Sequence, residues 1–141
     1  MANTVYPLIK QSWMTETDTN KSLDQTGTNA CYAALVNIGG GGYTYSATHQ
    51  FYSSVVAFTQ GTPQAITSPT VANGVFNGAS VTYLSVTGTT IGAVVIYRQN
   101  SGANSTWRLV LYVDTGVPTF PLTPGGSNIT ITWNALGIFQ L

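Results

Sequence analysis

The chain has 141 residues, enough for one domain with a real core and too few for two of ordinary size. Charged residues make up 6% of it and the formal net charge is zero, against roughly 25% charged in an ordinary soluble domain. Its four cations, Lys10, Lys21, Arg98 and Arg108, form no basic run, which argues strongly against a nucleic-acid-binding surface; a surface built from Thr, Ser, Asn, Gln and Gly suits a chain that lives within an assembly.

Residues 1–27 differ from the rest, because five of the eight charges fall there: Lys10, Glu16, Asp18, Lys21 and Asp24. They read either as a short helix over 8–15, with Ile9 and Trp13 four apart on one face, or as an extended arm packed on a neighbouring subunit. Pro7 is expected to break regular structure before it. The opening MANTVYPLIK has no basic segment leading into an apolar one, and no window approaches 18 apolar residues, so neither a signal peptide nor a membrane span is expected. Residues 28–141 are the expected β-domain, folded even when residues 1–12 are removed.

Residues 25–97 carry no formal charge, and His49 is the one side chain there that could gain one. A strand is predicted over 30–38, ended by Gly39 to Gly42, a mobile loop or tight turn. Residues 43–60, with Tyr43, Tyr45, Phe51, Tyr52 and Phe58, read as a loop leading to a short strand near 54–59. Pro63 and Pro69 bracket a short edge piece over 64–68. Two Asn-Gly pairs within 70–78 predict a tight turn, and 80–86 the next strand. Runs 90–98 and 106–114 flank a loop over 99–105. If symmetric, this hairpin pairs Tyr97 with Trp107, Val95 with Leu109, Ala93 with Leu111 and Ile91 with Val113 as a core face. Its other face, with Arg98, Arg108 and Asp114, is half polar. Pro118, Pro121, Pro124 and Gly125-Gly126 predict an unpaired loop, 128–134 an alternating strand and 137–141 a final short one. The fold class is therefore all-β: a single-domain antiparallel β-sandwich or small barrel, a jelly-roll arrangement among the options, with a poorly regular N-terminal arm.

Chemistry is sparse. Cys31 is alone, a small buried hydrophobe of a strand rather than a reactive thiol. His49 and Asp114 have the composition for a Ser-His-Asp triad, but no GxSxG elbow accompanies them, and a hydrogen-bonded loop histidine is the expectation. Glu16 and Asp18 are the only closely spaced acids and read as a solvated turn, not a glycosidase pair. Asp18, Asn20, Ser22 and Asp24 match calcium-loop positions 1, 3, 5 and 7, yet Leu23 stands where Gly is needed and Asn29 where the bidentate Glu belongs. No catalytic, cofactor or metal residues are expected, and the protein reads as no enzyme. Two features offer binding: Arg98 and Arg108, diagonal neighbours able to grip a carboxylate or backbone carbonyls of a partner, and the aromatic segment 43–58, a sugar-stacking platform, a subunit interface or a packed loop.

The motifs TVYPLIK, ALVNIGGGGYTYSATHQF, GVFNGASVTYLSVTG, TIGAVVIYRQ, RLVLYVDTG and LTPGGSNITITWNALGIFQL resemble, in the same order, a family of small virion structural proteins of tailed bacteriophages from the head gene region. The resemblance covers most of 30–141, with Tyr43 to Ser46, His49, Val95 to Arg98, Tyr112 to Thr115 and Pro124 to Trp133 in matching places. Asn37 departs from it where Asp is usual, and the first thirty residues match little beyond Tyr6-Pro7. The resemblance implies a non-enzymatic capsid decoration, or cement, protein that bridges major capsid subunits on the virion surface after assembly in the host cytoplasm. The expected partners are the major capsid protein and copies of this chain, a trimer before a dimer, with no nucleic acid and no membrane. The expected partner contacts are Tyr6, Ile9 and Trp13 of the N-terminal segment and Arg98, Arg108 and Asp114 of the hairpin. A tail, neck or fibre module with a receptor- or sugar-binding role is the alternative.

Overall fold

The computed structural model describes residues 3–15, 22–116 and 120–141. Their elements are β1 (Thr4–Val5), α1 (Pro7–Thr15), β2 (Cys31–Val36), β3 (Thr59–Ala65), β4 (Thr70–Ala72), β5 (Val75–Asn77), β6 (Val81–Tyr83), β7 (Ala93–Arg98), β8 (Arg108–Val113), β9 (Ile129–Ile131) and β10 (Phe139–Gln140). All strand pairs are antiparallel, in three sheets: a central one ordered β1-β8-β7-β2-β3, a second ordered β10-β5-β4, and the pair β6-β9. The all-β expectation holds, in an open layered form rather than a closed barrel.

Alternation along the central strands sorts side chains onto two faces. Cys31, Ala33 and Leu35 of β2, with Val94 and Ile96 of β7, meet Phe76, Val81, Tyr83, Ile131 and Trp133 of the small sheets and the last segment. Ala34 and Val36, with Ala93, Val95 and Tyr97, meet Tyr6, Ile9, Tyr43, Tyr52 and Val55 on the opposite face. The Tyr83 hydroxyl spans the layers and donates to the Ala33 carbonyl at 2.7 Å, beside the register break between Ala33 and Leu35 on β2.

The β7–β8 register differs from the symmetric pairing. Tyr97 lies opposite Leu109, Ile96 opposite Leu111, Val95 opposite Tyr112 and Val94 opposite Val113. Val110 is the extra residue of a β-bulge, so Val110 and Leu111 share one face while Leu109 and Tyr112 share the other. The cause is an asymmetric loop: a 3₁₀ turn over Asn104–Thr106 and the bond from Trp107 Nε1 to the Gly102 carbonyl keep Trp107 out of the strand. Trp107 instead stacks on Tyr97 at 5.6 Å between ring centroids. Of the face expected to be half polar, Gly92, Val94, Ile96, Arg98 and Val110 are buried, while Arg108 and Asp114 are half-buried.

Turn chemistry follows the sequence closely. Of the tight turn expected over 70–78, only Asn73 (φ 51°) and Gly74 (φ 78°) turn, with the positive φ at both positions that Asn-Gly supplies, while Thr70–Ala72 and Val75–Asn77 on either side pair as β4 and β5. The four-glycine run is a tight turn: Gly42 N–H donates to the Gly39 carbonyl, Tyr43 N–H to the Asn37 carbonyl, and a Cβ on Gly42 would lie 2.5 Å from the Asn37 oxygen. The strand near 54–59 is displaced to 59–65, after two 3₁₀ turns. Its Pro63 is accommodated because β3 is an edge. The proline-rich segment pairs after all, since Leu122 and Ile91 exchange both backbone hydrogen bonds at 2.8 Å.

The N-terminal segment belongs to the domain. Thr4 and Val5 pair with Tyr112 and Leu111, making β1 an edge of the central sheet. The helix alternative for residues 8–15 is the one found, as α1, with Pro7 as its first residue, where a missing N–H costs nothing. Deleting residues 1–12 removes the buried Tyr6 and Ile9, about 2 kcal/mol each, and uncovers one face of the sheet. We expect loss of the cooperative unfolding transition in that deletion, checked by urea denaturation followed by circular dichroism. Tyr83→Phe is expected to keep the transition and lower stability by about 1–2 kcal/mol, read from the denaturation midpoint.

Candidate docking groove and aromatic cleft

Of the three N-terminal residues expected to touch a partner, two face inward. Tyr6 is fully buried and Ile9 nearly so, because the second face of the sheet needs a cover and α1 supplies it. Trp13, one turn after Ile9, sits at the helix margin, half-buried against both core clusters.

The hairpin charges do not form one contact face. Arg98 is 4% exposed and lies directly across from Arg108 rather than diagonally. Its Nε donates to the Ser22 carbonyl at 2.6 Å, tying the segment after α1 to β7. That is an internal anchor, which corrects the expectation of a surface grip. Arg108 is half-buried, its guanidinium 5.0 Å from the centre of the Phe51 ring, a cation–π geometry. Asp114 follows β8 at its far end, about 20 Å along the strand from Arg108 by strand rise, where its N–H donates to Asn3 Oδ1. It lines a hollow with Ile38, Gly92 and Phe120.

Where the sequence offered catalysis or metal binding, the geometry is structural. His49 Nδ1 bonds the Tyr43 hydroxyl at 2.8 Å, so the carboxylate contact that orients a triad histidine is occupied by a phenol. Cys31 is buried, and burial pushes its thiol up to about 12. In the calcium-like stretch, Leu23 is in the core, the Ser22 hydroxyl donates to the Asp24 carboxylate, and Asp18 and Asn20 lie outside the described residues. The Ser22 bond, foremost, holds the Asp24 carboxyl below its ordinary range. Among the described residues no cluster of three or more His, Cys, Asp or Glu is placed to hold a metal, and no helix is long and apolar enough to cross a membrane.

Two surface features involve the residues that the sequence marked for binding, Trp13 and the aromatic segment. The first is a groove of two adjoining hollows, about 510 and 320 Å³, that share Trp13 and Leu141. Met14 (79% exposed), Leu141 (64%) and Val71 (50%) stand along it. Lys10 in one hollow and Asp24 in the other are the charged side chains among its described lining residues. Periodicity marked Trp13; the approach of β4 and the last residues to the helix has no local signal.

The second is an open cleft of about 540 Å³ between the glycine turn and the 3₁₀ segments, lined by Tyr43, Tyr45, His49 and Phe58 among others. Behind it the hydroxyls of Tyr6 and Tyr43 are 2.9 Å apart. The Tyr45 ring is braced by Tyr6 and Tyr112 at 5.2 and 5.3 Å. Burial raises the Tyr6, Tyr43, Tyr52, Tyr83 and Tyr97 phenols and, with the Asp114 charge adding, lifts Tyr112 to about 12.

No protein family and no curated protein matches this chain.

The raised phenols set an alkaline limit. Their folded values exceed the unfolded value of about 10, so the stability they carry is complete below that pH and falls as pH rises through the folded values. Phenolate absorbance of these six tyrosines is therefore expected to rise together with unfolding, monitored by circular dichroism in the same titration; early ionisation of all six in a still-folded chain would contradict it.

Proposed function

We propose that this protein is a non-enzymatic structural component of a tailed-phage virion, a capsid decoration protein that docks between major capsid subunits and stabilises the shell. The observation that carries the reading is the groove of Trp13, Met14, Val71 and Leu141: four large apolar side chains at one surface site of a chain with 6% charged residues. Contiguous exposed apolar surface is a mark of interaction sites. With one cation and one anion among its described lining residues, the groove suits a partner face that is itself neutral and apolar, as between closely packed shell subunits. Support also comes from the placement of the phage-like motifs, which form the tight turns, the β7–β8 hairpin and β9.

Function here is buried interface. A bridge of standard size covers on the order of 1,600 Å², and many copies on one shell make individually weak contacts persistent. The edge of β4, with neither charge nor proline over Thr70–Ala72, supplies a second surface for copies of the chain, a trimer before a dimer.

The test is co-sedimentation of the purified protein with shells of its phage, with electron microscopy of the decorated particles. Met14→Asp is expected to weaken shell binding by about tenfold or more, roughly 1.4 kcal/mol, with the circular dichroism spectrum unchanged. Density repeating over the head is the expected image. A signal confined to the tail would favour the alternative reading, and wild-type protein that never binds shells would end the first.

A further inference from the structure

We propose that the cleft between the glycine turn and the 3₁₀ segments is a binding site for a neutral saccharide of one or two pyranose units. The cleft is independent of the Trp13 groove and shares no lining residue with it.

The first argument is a donor held from behind. Tyr6 is fully buried, so its hydroxyl proton must be directed at an acceptor; the Tyr43 oxygen, 2.9 Å away, is that acceptor. Tyr43 in turn donates to His49 Nδ1 at 2.8 Å. The opposite direction would leave the Tyr6 proton in the core with nothing to meet. This order keeps the imidazole proton on Nε2, and no other hydrogen bond to the His49 ring occurs among the described residues. The ring is half-buried on the cleft wall. With Nδ1 taken by Tyr43, Nε2–H is the ring's remaining polar group, and the ring's orientation is set through two phenols by the core.

The second argument is what surrounds that donor. Tyr45 and Phe58 bring half-buried aromatic rings, and Tyr45 is braced on its inner side by two other tyrosines. Thr44, Ser46 and Ser54 line the same cleft, the Ser46 hydroxyl bonded to Thr48. No described lining residue carries a formal charge, which speaks against phosphates, carboxylates and cationic ligands. A pyranose combines an apolar C–H face, which lies on an aromatic ring, with hydroxyls that both donate and accept. About 540 Å³ is within the usual range of small-molecule sites.

Gly42 keeps the mouth in shape. Its N–H closes the turn onto Gly39 and a side chain there would collide with the Asn37 carbonyl. The cleft is thus pre-formed, which lowers the ordering cost of binding.

The experiment is an NMR titration of the intact chain with maltose, cellobiose, lactose and diacetylchitobiose, following the ring signals of His49, Tyr45 and Phe58. At least one sugar is expected to give saturable shifts at all three rings with a millimolar Kd. His49→Leu is expected to weaken that binding about tenfold, whereas Met14→Asp in the groove leaves it unchanged. The proposal is overturned if no sugar gives saturable shifts up to about 50 mM, if shifts map away from the cleft, or if folded His49→Leu binds as wild type does. Should His49→Leu fail to fold, the wild-type titration decides alone. Indole is the control ligand: indole that saturates the three rings while every sugar fails would assign the cleft to planar aromatics and refute the saccharide.

Discussion

Strand β7 has no solvent face. All six of its residues, Ala93 to Arg98, are buried, and β2 beside it is buried at every position but Tyr32. A sheet apolar on both sides must be covered on both, and this requirement organises the remainder of the chain. The small sheets and Trp133 close one face, and α1 with the aromatic segment closes the other. The N-terminal segment and the tyrosine-rich loop are therefore structural before they are anything else.

The same constraint explains the fate of the charges. A guanidinium at the end of a doubly covered strand cannot stay in water, so Arg98 is retained by a carbonyl of the segment that crosses it, and Arg108 by the face of Phe51. Burying a charge is tolerable only with such partners. With Arg98 drawn inward and Asp114 at the opposite end of β8, the surfaces proposed for binding are two others. One is apolar, at the end of α1 and the last residues. The other is aromatic and hydroxyl-rich, over the Tyr6–Tyr43–His49 chain.

These two surfaces suit different events. The groove offers area and little directionality, as a permanent packing contact requires. The cleft offers little area and one oriented donor, as recognition of a small polar molecule requires. In a virion protein both are compatible: one face would hold the shell, while the other remains open to the surroundings.

By itself the sequence determined the all-β class, the main strands, the Asn73-Gly74 turn, the buried character of Cys31 and the loop role of His49, because period-2 patterning, turn chemistry and composition are local properties. It also marked Trp13 and the aromatic segment as candidate binding residues. Only the tertiary structure decided the hairpin register, since one bulge residue, Val110, reverses which side chains share a face. Only it decided that Tyr6, Ile9 and Arg98 point inward, since burial depends on which elements cover a sheet. The groove and the cleft were settled at the same level: Leu141 and Val71 line one hollow with Trp13, and Tyr6 meets Tyr43, across long stretches of chain. Such proximity is a product of packing and leaves no periodicity along the chain to read.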